Sequence, residues 1–335
     1  MLTFTIRRLI ITVPTVLFNR LVIFLLLELA PRDPMAQVPL TVPPEVKEKM
    51  RLALGLGEPV PVRFWKWFVQ FFWIEPQVLI DYCFGTTFSK GDLRVISWQT
   101  RSPVMDIVIQ RLPQTLWVVG MSYIVGVLIA LPIGIYSAYR QYSVFDQVGT
   151  FVAMIGFAVP PFFSGVLVIV LFSVHLGWLP SIYDTTHLVN DWESFAIQFK
   201  QMIMPVMVLA LQTTAQISRF ARASMLDNLN QDYVRTARAK GLGETAVVLG
   251  HVLRNSLIPI VTVIALDVPA VSGGAIITEQ VFKVNGIGQL FITALLANDL
   301  PMVQTVAFMF AILIVMFNLI ADVLYGILDP RIRYD

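Results

Sequence analysis

The sequence is short of most things that chemistry or covalent bracing requires. One cysteine, Cys83, stands among 335 residues, so an internal disulfide and a cysteine-built metal cluster are excluded. Cys83 reads as a small buried hydrophobe. The histidines are three and well separated. The spacing of His175, Asp184, His187 and Asp191 matches no standard metal site, so 175–200 reads as a solvated loop. No Gly-x-x-x-x-Gly-Lys-Ser/Thr loop occurs, which excludes ATP hydrolysis by this chain. His-Glu-x-x-His and Gly-x-Ser-x-Gly are also missing. Charge is scarce: 14% of residues are Asp, Glu, Lys or Arg, against roughly a quarter in a soluble domain. A net charge of +2 gives no reason to expect nucleic acid as a partner.

What the chain has instead is long apolar runs, 56% of it being hydrophobic. Arg7 and Arg8 precede a run from Leu9 to Leu29, long enough to cross a hydrocarbon core of roughly 30 Å. It is too long for a signal-peptide core and reads as an uncleaved first span. Further spans are expected over about 115–139, 148–174, 202–217, 257–278 and 303–327. Pro160-Pro161 should bend the third of these, with two re-entrant halves as the alternative. The expected fold is thus all-α and integral to the membrane, with six transmembrane helices and lipid around them. Its divisions are an N-terminal span (1–30), an irregular extracytoplasmic insertion (31–112) and a five-span core (113–335).

The insertion opens on clustered prolines and a short helix from Glu45 to Leu54, which LGLGEP (Leu54–Pro59) should stop. Its aromatic stretch, Arg63 to Trp73, suits a helix lying at the membrane interface; a sugar-stacking platform is the alternative.

Positive charge sets the orientation. Arg7, Arg8, Arg140, Arg219, Arg222, Arg235, Arg238, Lys240, Arg254, Arg331 and Arg333 fall on one side of the six spans. The short loops opposite carry only Lys200 and Lys283. The positive-inside bias puts both termini, and the polar stretch between spans four and five, in the cytoplasm.

That stretch, DYVRTARAKGLGETAVVLGHVLRNSLIP (Asp232–Pro259), is the long polar interruption of the C-terminal half. An acid opens Asp232–Lys240 and Arg238 and Lys240 close it, which suits a helix dipole. Gly241 stands where a left-handed cap belongs. Glu244 opens a second helix whose apolar face is Val247, Val248, Val252 and Leu253. Two short helices on a glycine turn make a rigid knob. Ala237, Ala239 and Gly241 keep its surface small, so that another backbone can approach. An idle basic loop is the plain alternative.

The stretch resembles the coupling loop of ABC-importer permeases, which carry a Glu-Ala-Ala…Gly pattern followed by Leu-Pro. It is most similar to the dipeptide/oligopeptide type. The motif positions fall on Arg235, Thr236, Ala237 and Gly241. Two departures stand out: Arg235 replaces the acid, and Leu253-Arg254 the Leu-Pro. The similarity extends to the N-terminal span and to the stretch Thr278–Gln304, with its Thr-Glu-x-Val-Phe, Gly-x-Gly and Asp-x-Pro, where Asn298 replaces a frequent arginine. It also covers the C-terminal LIADVLYGILDPRIR, and it is weakest over 31–100.

The resemblance implies a type I importer permease fold and an ATP-driven, binding-protein-dependent importer, most simply of peptides. Oligosaccharides, opines and nickel complexes are the alternative cargoes. It implies no catalysis and no cofactor on this chain, with ATP and Mg held by partners. Those partners are two cytoplasmic ATP-binding subunits, a second homologous permease and an extracytoplasmic solute-binding protein. Arg235, Thr236, Ala237, Arg238, Ala239, Lys240, Gly241, Leu242 and Glu244 would face the ATPase. Four residues are candidates for the translocation path or an internal ion pair, Asp267 lining the pathway being the alternative to its pairing. Arg20 and Asp267 are costly at mid-membrane and are expected to pair, within the chain or across a dimer. Gly273 and Gly274 permit close packing or hinging. Asp322 reads as structural. A self-contained secondary transporter would tend to show a repeat between halves, and none is visible. An intramembrane enzyme needs converging titratable groups, of which only Arg20, Asp267 and Asp322 are candidates.

Overall fold

A computed structural model describes residues 2–29, 42–53, 57–86, 94–185, 187 and 189–328. Among these the chain is helical, and its one extended pairing is an isolated bridge between Ile96 and Pro103. The helices are α1 (Leu2–Glu28), α2 (Pro44–Ala53), α3 (residues 60–84), α4 (Val104–Tyr139), α5 (Val144–Ala158) and α6 (Pro161–His175). They continue with α7 (Trp192–Leu229), α8 (Asp232–Ala239), α9 (residues 244–282), α10 (Ile287–Leu296) and α11 (Leu300–Leu328). Five helices are long and apolar enough to cross a membrane, on α1, α4, α7, α9 and α11, and the bent pair α5–α6 makes six if it is one crossing.

The bend is 105°, and its cause is local. Val159 precedes Pro160, and Pro160 precedes Pro161; both are pushed into extended backbone (ψ 121° and 144°), the region a residue before proline favours. Pro161 then restarts a helix at a position where its missing N–H costs nothing.

The residues form two compact units. The first comprises Met1–Val13, Gln114–Gln289 and Leu313–Asp335. In it α4 lies against α7 so closely that a Cβ on Gly126 would meet Thr213 Cβ at 2.7 Å, and one on Gly134 would meet Ala221 Cβ at 2.6 Å. Val118, Met202, Met204, Leu209 and Phe282 fill the core beside this seam. Phe151, Phe157, Phe162 and Phe163 on α5 and α6 remain exposed, as lipid permits and water does not. Arg8, near the start of α1, pairs with Asp322, near the end of α11, at 2.9 Å.

The second unit comprises Pro14–Pro113 and Leu290–Ile312. The insertion thus shares its unit with residues 14–30 of the first span and with 290–312. Its aromatic helix is buried along one side: Trp67 and Ile74 are covered, and Trp67 and Phe71 meet the Phe308 ring at 5.8 and 5.2 Å. Trp65 and Trp73 stay exposed. The stretch is thus half core, where the sequence suggested an interfacial helix. Asp299, in the Asp-x-Pro, opens α11 and accepts hydrogen bonds from Trp98 N–H (3.0 Å), Gln99 N–H (3.3 Å) and the Ser97 hydroxyl. An acid at a helix start also suits the dipole.

The short helix expected at Glu45–Leu54 is present as Pro44–Ala53; its proposed stop falls partly on 54–56, outside the described residues. The loop expected over 175–200 ends early. Asp191 caps α7, accepting from Ser194 N–H at 2.7 Å, so the helix begins at Trp192. His175 and His187 meet the carbonyls of Val170 and Ser194, and no metal-ligating group forms among the described residues.

Candidate functional site

α7 is 38 residues long, or about 57 Å at 1.5 Å per residue, far more than a hydrocarbon core of roughly 30 Å. Beyond the end of α7, Gln231 turns the chain into α8. Asp232 lies in the first turn of α8 and Arg238 in the last. Gly241 has φ +78°. Its N–H bonds Arg238 C=O at 2.9 Å, and Leu242 N–H bonds Ala237 C=O at 3.4 Å. This is a complete left-handed cap. Glu244 then opens α9.

Arg238 reaches across the turn to Glu244 with two bonds, Nη2 to Oε1 at 2.6 Å and Nε to Oε2 at 3.2 Å. The carboxylate raises the Arg238 pKa, chiefly through the hydrogen bond. Val234 and Ala237 turn inward onto Val247, Val248 and Val252, with Met225 and Ala138 completing the cluster. The apolar face expected on α9 is there. The second helix is not short, however. It runs without a break from Glu244 to Phe282, loosened into a π-helical stretch at Val247–Val252, because nothing in 245–257 stops a helix.

Two fastenings hold this elbow. The Ser224 hydroxyl donates to Ser256 C=O at 3.0 Å, and the Ser256 hydroxyl lies 3.2 Å from Ser224 C=O, joining α7 to α9. Arg222 donates to both oxygens of buried Asp146, at 2.6 and 2.8 Å, joining α7 to the start of α5. In the sequence Arg222 counts only as a positive charge, and nothing in its spacing of 76 residues from Asp146 pairs the two.

Of the candidate contact residues, Arg235, Thr236, Arg238, Ala239, Lys240, Gly241 and Leu242 are exposed and Glu244 is half-buried. Ala237 is the exception. It is 6% exposed and serves the inside of the elbow, because it shares a helix face with Val234 three residues earlier. No atom lies within 4 Å of a Cβ built on Gly241, Gly243 or Gly250, so these glycines leave the outer surface flat. Leu242 and Leu249 stand out from it as exposed apolar side chains. The surface is therefore basic, low in relief and tipped with leucine, which suits docking and supplies no catalytic group.

Arg20 and Asp267 have each found other company. Arg20 is fully buried, with its guanidinium over the Trp67 ring and the Phe24 and Phe308 rings at 5.7 and 5.8 Å. Its Nη2 reaches Gln304 Oε1 at 3.4 Å, while Nε and Nη1 have no partner. Asp267 is 4% exposed, hydrogen-bonded with Gln216, and leaves Oδ2 without a partner. Neither joins an ion pair among the described residues. Gly273 and Gly274 fall inside α9, and their packing lies outside the described residues, as does that of Cys83.

The Thr-Glu-x-Val-Phe and Gly-x-Gly pieces form one device. Glu279, fully buried at the end of α9, accepts from the Thr115 hydroxyl at 2.7 Å and from Gln289 N–H at 2.9 Å. Thr115 in turn accepts from Ile287 N–H at 2.8 Å. A Cβ on Gly286 would run into Glu279 and Thr115, and one on Gly288 would meet Ile276 Cα at 2.6 Å. The glycines are there to let the turn close over a carboxylate. Local spacing assigns no role to Glu279, since Thr115 lies 164 residues away.

The chain matches the family model described as "Binding-protein-dependent transport system inner membrane component" over residues 130–334, and the N-terminal model of the same systems over 1–119. It is 35% identical to the oligopeptide transport system permease protein AppB of Bacillus subtilis (strain 168) over the full length of both. It is 34% identical to the glutathione transport system permease protein GsiC of Salmonella choleraesuis (strain SC-B67), again over both full lengths. A putative peptide transport system permease protein of Brucella abortus (strain 2308) is 33% identical over 96% of each chain. Among solved structures, the inward-facing MetNI methionine ABC transporter is similar with a TM-score of 0.53 and 18% identity, over 68% of this chain and 99% of that one. At that identity the likeness concerns the fold.

Proposed function

This chain belongs to the family of binding-protein-dependent transport system inner membrane components, and from that premise we propose that it is a peptide-importing permease whose elbow at 232–254 takes the thrust of a partner ATPase. The family is one of transport, not catalysis. The permease role, the helical fold and the place in the membrane follow from membership; the cargo, the elbow's role and the finer partnership are our reading.

The observation that carries the reading is the construction of the elbow. A pinned, basic, low-relief surface is built at the head of a helix that continues directly into the membrane. Movement of α8 has no soft joint in which to dissipate before α9. One ATP-binding subunit would dock against Arg235, Thr236, Arg238, Ala239, Lys240, Gly241 and Leu242 and a second against the partner permease, and the two would hold the ATP and Mg. A second permease of the same kind would complete the path, and an extracytoplasmic binding protein would deliver cargo. Positive charges favour the cytoplasmic face for the elbow and for both chain ends. Peptides are the cargo class because the curated relatives are named for oligopeptide, glutathione and peptide transport.

The test is Gly241→Trp beside Gly241→Asn, in the complex with its ATPases. Asn tolerates φ > 0 and should transport nearly normally. Trp should block uptake while the permease still inserts and assembles its spans. Uptake at normal rate by the Trp variant would defeat the reading.

A further inference from the structure

A cavity of about 450 Å³ lies between α3 and the first turns of α4 in the second unit. Phe71, Leu79, Met105 and Ile109 form its apolar wall, and Glu75, Arg94 and Asp106 close one end. Of these lining residues Leu79 and Ile109 are exposed, so the apolar wall of the cavity reaches the surface. The helix that carries Asp106 and Ile109 is itself a candidate span.

The polar end decides the occupant. Arg94 Nη2 and Nε bond the two oxygens of Glu75 at 2.8 and 3.3 Å, and its Nη2 and Nη1 bond the two oxygens of Asp106 at 2.8 and 3.0 Å. Two carboxylates thus share one guanidinium, and the cluster keeps one net negative charge. Four of the five N–H groups of Arg94 are committed, which leaves little to offer an anion. Each carboxylate has about four acceptor sites, so several remain open. Asp106, with 47% of its side chain exposed, presents them; Glu75, with 4%, is the buried anchor. The site therefore calls for a hydrogen-bonding cation attached to an apolar tail.

We propose that this cavity binds one phospholipid with a primary ammonium headgroup, its ammonium on Asp106 and one acyl chain against Phe71, Leu79, Met105 and Ile109. Anionic headgroups are repelled by the net charge, and a quaternary ammonium has no N–H to donate. The inference requires only that the chain lies in a membrane, not that it imports peptides.

The test uses the full-length permease in nanodiscs of equal parts phosphatidylethanolamine, phosphatidylcholine and phosphatidylglycerol, followed by native mass spectrometry. One bound phosphatidylethanolamine is expected, at roughly ten times the phosphatidylglycerol adduct, a ratio worth about 1.4 kcal/mol. Asp106→Ala should erase the preference, and Leu79→Trp, which fills the cavity, should remove the adduct. The proposal fails if phosphatidylglycerol is held equally, if no lipid is retained, or if the adduct survives Leu79→Trp unchanged. It also fails if a zwitterionic tripeptide displaces the lipid and takes the same residues.

Discussion

Arg238 and Glu244 grip each other in parallel across the Gly241 turn, with the shorter bond at 2.6 Å. Both are partly exposed, so the pair adds only about 0–1 kcal/mol to stability. What it does is bridge α8 and α9 across the turn. Arg238→Glu should leave the melting temperature of the permease nearly unchanged and lower cargo-stimulated ATP hydrolysis several-fold. The exchanged pair Arg238→Glu with Glu244→Arg should recover much of it, as measured in the reconstituted complex.

The two alanines of α8, Ala237 and Ala239, should behave oppositely. Ala237 is buried beside Val247 and Val248, so Ala237→Leu overpacks the cluster at a cost of about 1–3 kcal/mol. That loss would be read as faster hydrogen exchange in α8. Ala239 is exposed, so Ala239→Leu should leave exchange alone and weaken co-purification with the ATPase subunits.

Closure of the 283–289 turn over Glu279 predicts steep costs at small changes. Gly288→Ala has to displace backbone at Ile276, since its Cβ would sit 2.6 Å from Cα. Glu279→Ala strands the Thr115 hydroxyl and the Gln289 N–H, at about 1–3 kcal/mol for each group left unpaired. Both variants should give a lower midpoint in a thermal aggregation assay than Gly250→Ala, whose Cβ meets nothing within 4 Å.

Arg20 offers a test with the opposite sign. A buried guanidinium with two unpartnered nitrogens is poor evidence of stabilisation, and apolar replacements of buried charges are often neutral or better. Arg20→Met should hold or raise thermal stability. Arg20→Lys should lower it, because an ammonium loses the flat stacking on Trp67. If Arg20→Met abolishes transport without unfolding the protein, the residue works in transport and not in packing.

The Asp191 cap is pH-sensitive. The Ser194 N–H and its hydroxyl hold the Asp191 carboxyl below the usual value. A folded pKa below the unfolded one gives stability that is complete above the ordinary value near 4. It is lost as pH falls through the folded pKa. The protection factor of the Ser194 amide, with the intrinsic pH dependence of exchange divided out, should therefore fall as the pH drops below about 4, and should stay flat in that range in Asp191→Asn.

Much of this was legible in the residues themselves. The long apolar runs give the spans, Pro160-Pro161 gives the bend, and Gly241 after Arg238 and Lys240 gives the cap. Each depends on neighbours within a few positions. The misreadings share another cause. Trp67 was assigned to an interface because nothing near it in sequence names Phe308 or Arg20 as its companions. Ala237 was assigned to the outer surface although its spacing from Val234 turns it inward. Glu279, Asp146 and Asp299 found partners 76 to 202 residues away, at distances where local periodicity carries no information.

The contact between Arg8 and Asp322 carries a consequence for counting. It sets the beginning of the first helix beside the close of the last, so the polypeptide leaves and re-enters the same face. Five crossings would place Arg8 and Asp322 on opposite faces, so their contact is the arrangement expected if the kinked pair α5–α6, with its 105° corner, is one crossing and the tally is six. On an even count Gly241 would share a face with both ends, and a tag fused at either one would report which compartment the elbow occupies.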